Sequence, residues 1–112
     1  MRRMKKIIKK IQKCLKRNLE KYDISLEELN ELRKKGITII DVRSPQEFQE
    51  SHIDGAISIP EYKIKKEIAD RIKPEEEIIV YCSSGERSKK AKMKLEKLGY
   101  KKVYNLYNGW MN

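Results

Sequence analysis

Ile78-Ile79-Val80-Tyr81 is an unbroken run of β-branched and aromatic residues, with a charged loop before it and Cys82-Ser83-Ser84-Gly85 after it. A run this short with no polar face reads as a strand covered on both sides. Ile37–Val42 is a second β-branched run, ending in Asp41-Val42-Arg43, and reads the same way. Helical stretches alternate with these strands along the chain. That alternation gives an α/β domain with a central, mainly parallel β-sheet flanked by helices.

The remaining elements follow from their end signals. Tyr22–Ile24 reads as a short edge strand. Ser25-Leu26-Glu27-Glu28 is a capping box, and the helix it opens carries Leu26, Leu29 and Leu32 and stops at Gly36. Ser44-Pro45-Gln46-Glu47 starts another helix, with Pro at its first position, and this one ends before His52. Gly55 marks a turn and Ala56–Ile59 a brief strand. Beyond Pro60, the spacing of Ile64, Ile68 and Ile72 predicts a helix over 61–72. Residues 87–97 read as a helix capped by Gly99, and Lys102–Leu106 as the last strand.

Composition bounds the number of cores. With 112 residues and 38% hydrophobic residues, there is material for one modest core. The net charge of +10 is unevenly placed. Residues 1–21 hold ten Lys/Arg and a single acid, Glu20, whereas residues 22–112 hold seventeen bases and sixteen acids. The division expected is therefore a basic N-terminal arm, 1–21, and a near-neutral domain, 22–112. Over 4–21 the arm reads as an extra amphipathic helix, with Met4, Ile7, Ile8, Ile11, Cys14, Leu15 and Leu19 on one stripe. Such a stripe packs on the body or on a second subunit. The competing reading is a weak contact with an anionic membrane surface. No recognition motif accompanies the bases, so specific nucleic-acid binding is not expected.

Several classes are excluded. Two cysteines, Cys14 and Cys82, make no secreted disulfide framework, and with one histidine, His52, they offer no metal-ligand spacing. No apolar run approaches the roughly 20 residues of a membrane span, and the N-terminus lacks the apolar core of a secretory signal. A reducing, cytoplasmic setting is the expectation.

Chemistry concentrates in Cys82-Ser83-Ser84-Gly85-Glu86-Arg87-Ser88. A buried strand delivers a cysteine into a short Gly-containing loop, and a helix starts directly after it. Backbone N–H groups of such a loop form an anion nest, and the helix N-terminus adds partial positive charge. Both favour thiolate over thiol. Arg87 adds a fixed cation with a planar donor fork. The plain alternative is a small core cysteine at a strand end. The coincidence of loop, cation and helix start favours a nucleophile.

These residues resemble the C-x-x-G-x-R-S active-site loop of rhodanese domains. Asp41-Val42-Arg43-Ser44-Pro45-Gln46-Glu47-Phe48, His52-Ile53-Asp54-Gly55-Ala56-Ile57-Ser58-Ile59-Pro60 and Gly109-Trp110 resemble further stretches of that family, in its order, over about 22–112. The resemblance implies a small rhodanese-like fold and a sulfurtransferase. In that chemistry Cys82 takes a sulfane sulfur from a small anionic donor, thiosulfate or a persulfide, and passes it to a thiol, which a protein could supply, or to cyanide. It implies that Ser83, Ser84, Gly85, Glu86, Arg87 and Ser88 hold the substrate sulfur, with no metal and no organic cofactor. Asp41, Arg43 and His52 take mainly structural, supporting roles in that family. Two departures stand out: Glu86 places a carboxylate in the loop, and Trp110 follows Gly109 directly.

Other functions compete. A sulfur-relay module that carries a persulfide for a partner protein needs the same Cys82. Phosphatases of the same fold have a loop one residue longer, C-x5-R, against the C-x4-R spacing from Cys82 to Arg87. A purely structural binding domain would not need the intact loop. The lysines from Lys89 to Lys102 read equally as a solvated face or as a surface that steers an anionic sulfur donor or an acidic partner protein.

Overall fold

The computed structural model describes residues 22–111, so the expected 4–21 helix, with Cys14 and its membrane contact, lies outside the described residues. From there the chain runs β1 (Asp23–Ile24), α1 (Leu26–Arg33), β2 (Thr38–Asp41), α2 (Pro45–Glu50), β3 (Ile57–Ser58), two 3-10 segments (Glu61–Lys63 and Lys66–Asp70), β4 (Ile78–Tyr81), α3 (Glu86–Lys97) and β5 (Val103–Leu106). The strands form one sheet in the order β1-β5-β4-β2-β3. Every pairing is parallel, where the sequence led us to expect a mainly parallel sheet. β4 sits in the middle, which is why its four residues are all buried.

The strand residues sort by the two-residue period of a pleated sheet. Ile40, Ile78 and Val80 face one side, where Ala91 and Leu95 of α3 and the isoleucines Ile64, Ile68 and Ile72 cover them. Ile39, Ile79 and Tyr81 face the other, against Leu29 and Leu32 of α1. Neither face of β4 meets water, as its unbroken apolar sequence requires, and β2 is buried from Ile39 onward.

The expected capping box forms, and the second helix start proves to be one as well. Ser25 and Glu28 bond reciprocally at the start of α1, and Ser44 and Glu47 do so at the start of α2 with Pro45 at its first position.

The helix expected over 61–72 does not form as one helix. Ile64 and Lys65 are extended, at φ −77°, ψ 102° and φ −138°, ψ 176°, and they split the stretch into the two 3-10 segments. Lys94 of α3 reaches across, donating to the Glu61 carbonyl oxygen at 3.3 Å and pairing with the Glu61 carboxylate at 3.1 Å, which anchors the first segment. The isoleucines are buried all the same. β-branched residues lose side-chain freedom in a helix, so their burial did not need one. β4 coincides with its run Ile78–Tyr81, and the other strands are shorter by a residue or two than the stretches read for them.

In an open parallel sheet the loops after the carboxyl ends of the strands gather at one edge. There β4 delivers Cys82 and its neighbour β2 delivers Val42 and Arg43, with Asp41 paired to Tyr81 at the last register position.

Candidate active site

Cys82 follows the last residue of β4, and its sulfur is the focus of the loop beyond it. The amide of Gly85 donates to Cys82 Sγ at 3.0 Å and the amide of Ser88 at 3.3 Å. Gly85 is the N-cap of α3 and Ser88 its third residue. Gly85 has no side chain to cap the helix, and the sulfur takes the acceptor position that a capping oxygen usually fills. The helix dipole therefore ends on the sulfur. Gly85 makes this geometry at φ +96°, and a Cβ there would strike the Tyr107 carbonyl oxygen. Only glycine fits.

Ser88 completes the cradle. The Cys82 thiol donates to Ser88 Oγ at 3.4 Å, and that hydroxyl donates to the Gly85 carbonyl oxygen at 3.1 Å. When the thiol loses its proton, the hydroxyl can turn to the sulfur instead. Cys82 is fully buried. Burial pushes its thiol up, but hydrogen bonds from the Ser88 hydroxyl and from the amides of Ser88, Ser84 and Gly85 outweigh it, so its pKa stands below the ordinary value of 9.0. This arrangement favours thiolate over thiol and can cradle negative charge on sulfur.

The other loop residues divide. Ser84 and Glu86 are exposed, and Glu86 lies in the first turn of α3, where a carboxylate complements the helix dipole. Ser83 is half-buried, and its Oγ accepts from Arg87 Nη2 at 3.0 Å. Arg87 is held from the first turn of α2, the helix after the neighbouring strand: Nη1 donates to Glu47 Oε1 at 2.7 Å and Nη2 to Glu47 Oε2 at 3.1 Å. From the sequence, Glu47 has a place only in a helix start and in the family-like stretch Asp41–Phe48. The missed signal was topological, since helices that follow adjacent parallel strands begin side by side.

Asp41 and Arg43 form a buried pair beneath the loop. Arg43 Nε and Nη2 donate to Asp41 Oδ1 and Oδ2 at 3.0 and 2.8 Å, and Arg43 Nη2 also donates to the Ser51 carbonyl oxygen at 2.6 Å. The Tyr81 hydroxyl donates to Asp41 Oδ2 at 2.8 Å and accepts from the Ile53 amide at 3.0 Å. The Arg43 guanidinium lies 5.1 Å from the centre of the Trp110 ring. His52 is exposed, with Nδ1 2.8 Å from the Phe48 carbonyl oxygen and its ring stacked 3.8 Å from that of Phe48. The described contacts of the Cys82 sulfur are with the loop and do not include His52.

The closing segment braces the loop. The Trp110 amide donates to the Cys82 carbonyl oxygen at 2.8 Å. Gly109, at φ +76°, packs so closely that a Cβ would strike the Ser83 carbonyl oxygen. With Trp110 directly after Gly109, the closing segment grips the loop through its backbone.

A family profile described as "Rhodanese-like domain" matches residues 25–112. The chain belongs to the rhodanese family. The thiosulfate sulfurtransferase PspE of Escherichia coli (strain K12) is 40% identical over 67 residues, which is 59% of this chain and 64% of PspE. The thiosulfate sulfurtransferase GlpE of Coxiella burnetii is 35% identical over 81 residues, covering 70% of this chain and 73% of GlpE. The chain spans less than two thirds of the length of several curated relatives that it matches, PspE among them. Among solved structures, the human single-domain sulfurtransferase TSTD1 is similar at TM-score 0.69 and 27% identity, over 81% of this chain and 93% of that one. The rhodanese resemblance and the α/β fold expected from the sequence are both found. No helix among the described residues of this rhodanese is long and apolar enough to cross a membrane.

Proposed function

We propose that the chain is a sulfurtransferase that moves a sulfane sulfur from thiosulfate or a persulfide donor to a thiol or cyanide through a persulfide on Cys82. The observation that carries this reading is the convergence of the Gly85 and Ser88 amides and the Ser88 hydroxyl on one buried sulfur. Family membership and the names of PspE and GlpE support it.

The steps balance without an outside oxidant. The Cys82 thiolate attacks the outer sulfur of the donor, forming a new S–S bond. The donor's S–S bond breaks, and its electron pair leaves on sulfite or on the donor thiolate. The acceptor thiolate or cyanide then attacks the outer sulfur of the persulfide. The Cys82 Sγ–S bond breaks, and the thiolate is restored in the same cradle. Throughout, the amides of Gly85 and Ser88 hold negative charge on sulfur without having to move, which is where preorganised donors help most. Because the cradle lowers the thiol pKa, no separate general base is assigned to Cys82.

In this reading residues 22–112 form the sulfur-transferring domain and 1–21 a separate basic segment. Steady-state turnover with thiosulfate and cyanide, beside Cys82→Ser, tests it. Turnover by the native chain and none by the variant supports catalysis. Sulfur uptake only from a protein persulfide would make the domain a relay module, and hydrolysis of an aryl phosphate would make it a phosphatase.

A further inference from the structure

The sequence offers Arg87 as a donor fork for an anionic substrate, and the geometry says otherwise. A guanidinium presents two paired-donor faces to an oxyanion, Nη1 with Nη2 and Nε with Nη2. Both faces need Nη2, which has two hydrogens. One is directed at Glu47 Oε2, 3.1 Å away, and the other at Ser83 Oγ, 3.0 Å away. No complete face is left for a bound anion.

Glu47 is itself held in place. Its Oε1 accepts from the Ser44 amide and the Ser44 hydroxyl, both at 3.1 Å, as well as from Arg87 Nη1. One carboxylate thus joins the N-terminus of α2 to the N-terminus of α3, and through Arg87 it reaches the first loop residue after Cys82.

We propose that Glu47 is a positioning residue: it aims Arg87 at Ser83, fixes the sulfur cradle around Cys82, and takes Arg87 out of direct donor recognition. The sulfur donor is then recognised by the backbone of the loop, whose N–H groups suit sulfane sulfur whether the donor is thiosulfate or a persulfide. This inference rests on the sulfur-transfer reading for its meaning, but its test does not depend on turnover.

The test is the pH profile of Cys82 alkylation by iodoacetamide, an uncharged reagent, in Glu47→Gln, Arg87→Ala and the double variant of the full chain. Peptide mapping by mass spectrometry reports Cys82 apart from Cys14. Gln retains the capping geometry at that position of a helix, so Glu47→Gln folds, and a thermal melt of each variant confirms it. If Glu47 acted only through its charge, removing it would leave Arg87 unneutralised and lower the thiol pKa. Positioning has the opposite sign. The expected result is a rise of about half a unit to one unit, roughly three- to tenfold less thiolate at neutral pH, with the double variant no worse than Arg87→Ala. In the thiosulfate assay, kcat falls in Glu47→Gln and KM does not. A profile that fails to rise, effects that add in the double variant, or a lowered KM with unchanged kcat would each overturn the proposal. If no donor loads Cys82 at all, the sulfur-transfer reading falls, and the alkylation profile still decides the part of Glu47.

Discussion

The amide nitrogen of Gly85 lies 3.0 Å from the sulfur of Cys82 and donates to it. The contact depends on a backbone conformation at φ +96° that other residues resist, and on a flank where the Tyr107 carbonyl leaves no room for a Cβ. Gly85→Ala should therefore cost at least about 1–3 kcal/mol of stability from the backbone alone. It should also slow sulfur transfer by more than that destabilisation explains. Urea unfolding and turnover, measured on the same preparation, check both.

Ser88 gives a cleaner electrostatic test. Its hydroxyl favours the thiolate, so Ser88→Ala raises the Cys82 pKa while leaving the two amides in place. A lost hydrogen bond to a charged group is worth on the order of 1.5–3 kcal/mol, which leaves roughly ten- to a hundredfold less thiolate at neutral pH. Alkylation of Cys82 by iodoacetamide should slow near pH 7 and match the native rate at a pH well above 9.0, the ordinary thiol value.

How much of this was visible in the sequence depends on the range of the interaction. Cys82, Gly85 and Ser88 lie within seven consecutive residues, and a strand, a glycine and a helix start place them together locally. The capping box at Ser25 and the helix start at Ser44 are equally local, and both helices begin where they were read. The pairing of Glu47 with Arg87 joins residues forty positions apart and requires β2 and β4 to be neighbours, which no local signal states. The stretch from Glu61 to Ile72 failed for a related reason. The helical spacing of its isoleucines records burial, and tertiary anchoring by Lys94 met that burial without a continuous helix.

The Asp41–Arg43 pair should matter for stability. Asp41 is fully buried and Arg43 nearly so, and the carboxylate also accepts from Tyr81. Asp41→Ala leaves the Arg43 cation buried without its partner, a loss of about 3–5 kcal/mol. A shift of the urea midpoint of that size is the expected outcome. A change of under about 1 kcal/mol would mean that Arg43 finds other acceptors.

Acid sensitivity should trace in part to Glu47. The Arg87 guanidinium beside it lowers its pKa from 4.5 to about 2, against the opposing effect of burial, with further help from Ser44. A carboxyl depressed in the folded state stabilises the fold above its unfolded value and loses that contribution as the pH falls. The stability gap between the native chain and Glu47→Gln should thus be full above pH 4.5 and close progressively towards about 2. Urea midpoints taken across that window measure it.

The persulfide itself can be weighed. Intact-protein mass spectrometry after incubation with thiosulfate, and separately with a small-molecule persulfide, reads sulfur uptake on the native chain and on Cys82→Ser. The expected result is a gain of one sulfur on the native chain from at least one donor, removed by cyanide and absent from the variant. A native chain that takes up no sulfur from either donor, or a variant that takes up as much, would contradict sulfur transfer through Cys82.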